Sequence, residues 1–305
     1  MKLKIIFLGT SGSMPTAERG LTSIIIRREG EVLIFDCGEG SQRQMIRAGF
    51  SPMKIDAIFI THYHGDHFLG IAGLVQTLSL MDRERKLEIY GPPGTEEKIG
   101  TFLTLPTFTL KFEVQIQDIT PGAGIRRKGY EIRTCETQHG VPGIAYALVE
   151  DERPGKFYPE KAEELGVKPG PDFSRLQNGE EIEAADGSIV KPDQVMGPPR
   201  PGRKIVYSGD TKPIDQMIKF SQGADILIHD ATLASDLQEL ADEGGHSTPI
   251  DAAKIAKEAG VERLILTHVS PRYPDSSELE DEAKEVFPDT RVAEDFMELE
   301  VELKD

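Results

Sequence analysis

The chain has 305 residues, 38% of them hydrophobic, and a formal net charge of −17. That length buries a substantial core, no apolar run approaches the roughly 20 residues of a transmembrane helix, and two cysteines, Cys37 and Cys135, are too few for a disulfide framework. A membrane partner and a disulfide scaffold are therefore not expected, and a reducing, cytoplasmic compartment fits, with one bridge left open. The charge argues at first sight against a nucleic-acid substrate. It is unevenly spread, however: residues 275–305 hold 13 acidic and three basic side chains. An RNA enzyme needs a local basic face, not a basic total.

The opening MKLKIIFLGTSGS has an apolar run too short for a signal peptide and reads as a first strand at 3–8. Strands follow at 23–27 and 32–36, joined as a hairpin across Glu29-Gly30. A helix at 39–48 stops at Gly49. Then come a buried strand at 57–61, a helix at 66–81, a strand at 87–90, a helix near 95–103, and strands at 112–119, 130–137 and 143–149. From 150 to 191 the pattern breaks into Gly, Pro and charge, with one short helix at 159–165 stopped at Gly166. A long insertion of this kind is usually functional or disordered, and it reads as an arm. Alternation resumes with a strand at 204–208, a helix near 214–220 and a strand at 226–229. Thr248 is the N-cap of the next helix, with Pro249 at N1 and Asp251 at N3 approximating a capping box. A strand at 263–267, an acidic helix and a last strand end the chain. Two αβ halves packed sheet on sheet, with helices outside, are expected.

The central chemical signal is His62-Tyr63-His64-Gly65-Asp66-His67, set between a buried strand and a helix. Three of seven histidines fall within six residues, where a loop can aim three imidazoles and a carboxylate at one point. These are the nitrogen and oxygen ligands that a catalytic zinc takes. Three histidines in a polar surface turn would be the plainer account.

This segment resembles the HxHxDH signature of the metallo-β-lactamase superfamily. The resemblance implies an α/β fold, an αββα sandwich forming one domain over 1–305, with a flexible arm inserted at 150–191. It also implies later ligands at strand ends, supplied here by His139 in ETQHGVPG, Asp210 in YSGDT and His268 in LTHVS. By analogy His62, His64 and His139 bind one zinc, Asp66, His67 and His268 the other, and Asp210 bridges the two. A zinc pair makes a nucleophile from water at neutral pH and clamps both oxygens of a phosphoryl displacement. Asp66 would orient or deprotonate that water. Asp36 in FDCGEG resembles a position that supports a ligand histidine; capping the turn at Cys37-Gly38 accounts for it equally well.

Four further features resemble the ribonuclease Z family. The opening FLGTSGSMPTAERGLTS matches the family's start, and Pro15–Gly20 corresponds to its P-x-K-x-R-N segment, which keeps Arg19 but has Ala17 and Gly20 in place of Lys and Asn. His229-Asp230-Ala231-Thr232 resembles the HEAT segment and Gly245-His246-Ser247-Thr248 the HST motif. In the family that acid partners the HST histidine, which protonates the leaving 3′-oxygen; the roles carry over to Asp230 and His246. Thr267-His268-Val269-Ser270-Pro271-Arg272-Tyr273 resembles the THFSxRY ending, placing Ser270 and Arg272 near backbone phosphate. The insertion lies where the family carries its tRNA-gripping arm, with Lys156, Lys161, Lys168 and Arg175 as candidate contacts. A solvated charged surface explains each of those four singly.

The resemblance thus implies an endoribonuclease with two Zn2+ per subunit that cuts the 3′ trailer from precursor tRNA, acting as a homodimer whose arms serve each other's sites. Two alternatives stay open. One is a small-molecule esterase, sulfatase or phosphodiesterase on the same zinc site, which the net charge favours. The other is a non-catalytic RNA-binding metalloprotein, which the full ligand set and His246 oppose.

Overall fold

The central strands of this protein hold mainly apolar residues, because both of their faces are covered. In the computed structural model, which describes residues 2–304, the strands are β1 (Leu3–Gly9), β2 (Ser23–Arg28), β3 (Glu31–Phe35), β4 (Ala57–Phe59), β5 (Leu87–Gly91), β6 (Val114–Asp118), β7 (Gly124–Arg127), β8 (Tyr130–Glu136), β9 (Ile144–Glu150), β10 (Ile182–Glu183), β11 (Ile189–Val190), β12 (Lys204–Tyr207), β13 (Ile226–Asp230), β14 (Arg263–Thr267), β15 (Thr290–Val292) and β16 (Glu298–Glu300). Two seven-stranded sheets form, ordered β16-β1-β2-β3-β4-β5-β6 and β15-β14-β13-β12-β9-β8-β7.

Alternate residues of one strand enter different cores. Ile5 and Phe7, Leu33 and Phe35, Ile205 and Tyr207 point between the sheets. Ile6, Leu8 and Ile34 pack outward on helical Met45, Leu74 and Val75. Val206, Leu227 and Leu264 pack outward on Ala252, Ile255 and Leu279. The result is the expected αββα sandwich. Strands β3 to β6 and β12 to β15 run parallel within their sheets, so their C-terminal ends can present loops on one side, where ligands bind in such sheets.

The chain divides into two compact units, one reaching to Val149 and resuming over Arg203–Glu302, the other comprising Glu150–Gly202 with the residues from Leu303. The second unit holds more regular structure than the one short helix expected at 159–165. It holds helices Pro159–Glu164, Pro171–Gln177 and Pro192–Val195 and the β10–β11 hairpin. Each helix starts with proline in its first turn, where the missing N–H costs nothing. Ala162, Val167, Leu176, Ile182, Val190 and Val195 bury a small core of their own, and bridges Arg153–Arg200 and Phe157–Met196 tie its two ends.

The first unit departs from sequence expectation in three other places. The helix expected at 66–81 is broken into Gly65–Phe68 and Gly70–Leu80. The His67 carbonyl is taken by the Cys37 amide at 2.7 Å and the Gly70 amide donates to the Cys37 carbonyl at 2.9 Å, so the loop after β3 replaces the helical ladder there. Strand β7 and helix Gln238–Gly244 were not expected; the former pairs with β8 through a turn at Gly129, whose φ is +79°. The single last strand proves to be two, β15 closing one sheet and β16 closing the other.

Candidate metal centre

Every strand that carries a candidate ligand ends at the same place. His62 and His64 follow β4, His67 lies in the short helix Gly65–Phe68, His139 follows β8, Asp210 follows β12 and His268 follows β14. The structure brings all seven sequence-predicted ligands together. His62, His64, His139 and Asp210 offer atoms within 4.8 Å of one another, as do Asp66, His67 and His268. Asp210 joins the groups: its Oδ2 lies 3.6 Å from His62 Nε2, 3.7 Å from His139 Nε2, 3.3 Å from His67 Nε2 and 3.2 Å from His268 Nε2. His62, His67, His139, Asp210 and His268 are buried, whereas His64 is exposed and Asp66 half-buried. The latter two line the mouth of a cavity of about 450 Å³ together with Ser13, Glu39, Leu69 and His246.

The donor set fits metal ions. His67 Nδ1 donates to Asp36 Oδ2 at 2.8 Å and His139 Nδ1 to the Gly245 carbonyl at 2.8 Å. With those protons on Nδ1, each Nε2 turns a lone pair inward, the state a ligand needs. Yet His67 Nε2 faces His268 Nε2 at 3.3 Å, and His139 Nε2 faces His64 Nδ1 at 3.0 Å. Among the described residues, His62 Nε2 and Asp210 Oδ1 have no hydrogen-bond partner although both are buried. Buried polar atoms left unpartnered are costly, and a cation between them removes that penalty. Burial, then the neighbouring His67, pushes the His62 imidazole well below its usual pKa; burial and His139 lower His64. Burial opposes charging His67 too, but the carboxylates of Asp210 and Asp36 outweigh it and raise the imidazole well above its usual value. The local field therefore asks for positive charge at this point.

The surrounding backbone is shaped to the cluster. Asp36 and His268 sit at φ +57° and +62°, a left-handed conformation that costs non-glycine residues about 1–3 kcal/mol. Both are held there by their contacts. Asp36 accepts from Thr61 N at 2.8 Å, Thr61 Oγ1 at 2.8 Å, His67 Nδ1 and the Tyr207 hydroxyl at 2.8 Å. Asp36 is thus a support for the His67 ring rather than a cap for the Cys37-Gly38 turn. Gly12 packs flat against the His268 ring, where a β-carbon would collide with it. The Ser13 amide donates to Asp66 Oδ2 at 2.7 Å.

Beside the cluster stands a second pair. His246 Nδ1 donates to Asp230 Oδ2 at 2.9 Å, and the His246 ring centroid is 4.7 Å from that of His139. Burial opposes protonation of His246, but the Asp230 charge and hydrogen bond outweigh it and lift the imidazole to about 9. The Asp230 carboxylate thus reaches its histidine directly. His229 is buried behind the site with Nδ1 on the Asp230 carbonyl at 2.9 Å.

With this geometry in place, comparison with known proteins is decisive. Residues 18–172 match the metallo-beta-lactamase superfamily and residues 195–269 a beta-lactamase superfamily domain. The chain is 51% identical over 300 residues to Ribonuclease Z of Methanosarcina acetivorans, covering 98% of both, and 45% identical over 303 residues to Ribonuclease Z of Archaeoglobus fulgidus, covering 99% of this chain and 98% of the relative. Its fold matches the crystal structure of human tRNase Z, short form, with a TM-score of 0.71 and 29% identity, covering 97% of this chain and 98% of the human one. The chain belongs to the ribonuclease Z family.

Not every residue that the family resemblance singled out faces the site. Arg19 is turned into the fold: its guanidinium donates to Thr10 Oγ1 at 2.6 Å, the Ala293 carbonyl at 2.6 Å and Ser276 Oγ at 2.9 Å. Through those bonds Arg19 braces the loop that carries Ser13. Ser270 is half-buried, its amide on the Thr232 carbonyl at 3.1 Å, while Arg272 is exposed. In the second unit Arg175 pairs with Asp172 and Glu180, and Lys161 stacks on Tyr158. Lys156 and Lys168 are exposed and carry no ion pair among the described residues. Sequence reasoning missed Thr61 and Thr232, which touch ligand histidines; their signal was adjacency to His62 in one case and the HDAT segment in the other.

Proposed function

We propose that this protein is a zinc-dependent endoribonuclease that removes the 3′ trailer from precursor tRNA, cutting after the discriminator base to leave a 3′-hydroxyl. Family membership supports the reaction class. The observation that carries the reading is the His246–Asp230 pair beside the seven-residue cluster, because it supplies a proton donor for a poor alkoxide leaving group such as a ribose 3′-oxygen. His62, His64 and His139 would hold one zinc ion of each subunit, Asp66, His67 and His268 the second, with Asp210 between them. Bound there, the ions would make water nucleophilic at neutral pH and offset charge on the phosphate.

The protein's own groups do the rest. Asp66, steadied by the Ser13 amide, orients the attacking water at the mouth of the cavity. Water adds to phosphorus as Asp66 accepts the proton it releases, and the P–O3′ bond breaks, leaving the phosphate on the trailer. His246, held through Nδ1, delivers its Nε2 proton to the departing 3′-oxygen, and Asp230 keeps the ring in that orientation. Arg272, exposed five residues past the end of β14, is set for a backbone phosphate. The folded insert is the tRNA-binding element, and in a homodimer it would serve the partner subunit's site. No helix among the described residues is long and apolar enough to cross a membrane.

The acidic total favours small substrates, so the deciding experiment uses RNA. Purified, zinc-loaded protein is expected to cleave a precursor tRNA just after the discriminator, leaving a 3′-hydroxyl, and to stop when a chelator is added. Retained hydrolysis of a small diester without cleavage of the RNA would move the function to the small-molecule alternative.

The two unpaired lysines give a separate test. Replacing Lys156 and Lys168 together by alanine is expected to raise KM for precursor tRNA roughly ten-fold and to lower the slope of log KM against log salt by about two. An unchanged KM and slope would make the insert a solvated surface.

A further inference from the structure

Thr232 lies two residues beyond the end of β13, and three groups meet its one hydroxyl. Oγ1 is 2.6 Å from Asp230 Oδ1, 2.8 Å from His268 Nδ1 and 3.1 Å from His246 Nδ1. The residue is 7% exposed, so bulk water does not supply partners in their place. A hydroxyl offers one proton and two lone pairs. The Asp230 carboxylate can only accept, so the Thr232 proton goes to Oδ1. The lone pairs then face two imidazole nitrogens, each of which must bring a proton. His268 is thereby held with its proton on Nδ1 and a lone pair on Nε2, the atom that lies 3.2 Å from Asp210 Oδ2 and 3.3 Å from Asp66 Oδ2. The His246 Nδ1 proton is shared between Asp230 Oδ2 and Thr232.

We propose that the Thr232 hydroxyl is a positioning group that sets the tautomer of His268 for metal binding and ties that ligand to the Asp230–His246 proton donor. The inference rests on the cluster being a metal centre. The other half of the fold repeats the device: Thr61 Oγ1 donates to Asp36 Oδ2 at 2.8 Å and faces His62 Nδ1 at 3.0 Å, which turns His62 Nε2 inward. In each half a threonine hydroxyl stands between a buried aspartate and an inward-facing imidazole. The halves differ in one respect. Asp36 also receives His67, a second candidate ligand, whereas Asp230 receives His246. Thr232 alone therefore joins metal affinity to proton donation, and removing its hydroxyl should weaken both at once.

A threonine that merely fills space would tolerate valine, its closest match in shape. Thr232→Val and Thr232→Ser are compared with the native enzyme by competition for zinc against a chromophoric chelator, by denaturant unfolding of the zinc-free proteins, and by kcat and KM on precursor tRNA at saturating zinc. The valine variant is expected to lose about 10–100-fold in affinity for zinc and to lose kcat at saturating zinc with KM unchanged, while serine restores both to within a few-fold. Native zinc affinity in Thr232→Val, or serine no better than valine, overturns the proposal. Should the valine variant fail to fold, long-range 1H–15N spectra of histidine-labelled, zinc-loaded native protein decide the matter: a proton on His268 Nδ1 supports the assignment and one on Nε2 overturns it. Native protein that takes up no zinc in the same titration overturns the metal reading itself, and this inference with it.

Discussion

Replacing His246 by alanine is expected to slow cleavage of precursor tRNA by roughly 10²–10⁴-fold, the usual worth of a positioned acid, while the metal content stays at the native level. The ring stands next to the cluster rather than within its core, and its Nδ1 is spent on Asp230 at 2.9 Å. What is lost is a proton at the leaving oxygen. The sugar 3′-oxygen departs poorly as an alkoxide, but a nitrophenolate needs no such help, so the loss should shrink on a small diester with that leaving group. Metal analysis and the two rate constants together check this. Equal losses on both substrates with native metal content would assign His246 to positioning instead, and undiminished RNA cleavage would remove it from the reaction.

Replacing Asp210 by alanine is expected to empty the centre and take cleavage to background. A single carboxylate oxygen reaches four imidazoles, from 3.2 to 3.7 Å, drawn from both ligand groups. Without it neutral nitrogens face the cations and only Asp66, half-open to solvent, offsets their charge. Losing a partner outside the ligand shell already costs about 10–100-fold in metal affinity, so losing the shared carboxylate should cost more. Metal content by elemental analysis is the direct readout. Two full equivalents retained by the variant, with native affinity, would contradict a bridging role.

How much of this was readable from the chain alone follows from how far apart interacting residues lie. The His62–His67 run was plain because four ligands share six residues and one loop, so local spacing carries the geometry. The helix at Pro249–Ala259 was equally plain: Thr248 and Asp251 exchange the expected capping bonds over three residues. Strands buried on both faces read as apolar runs, which locates most of them along the chain but neither splits the last one in two nor says which sheet each half joins. His139, Asp210 and His268 could be proposed by resemblance to a signature, and only packing of the two sheets brings them to one point.

What the tertiary structure alone decided involves partners distant in sequence. Arg19 reads as a basic residue in a substrate loop, but its guanidinium reaches the Ala293 carbonyl, 274 positions away, and no pattern in the loop announces that. The helix break at Leu69 comes from backbone pairing with Cys37. The insert reads as polar because its few apolar residues are spaced by glycine, proline and charge, and they become a core only when its ends are brought together. Thr232 looks like any threonine after a strand. The sequence by itself determined which atoms were on offer for chemistry; the meeting of β13, β14 and the turn at His246 decided which of them share a proton, because a hydrogen bond depends on ångströms in space and not on distance along the chain.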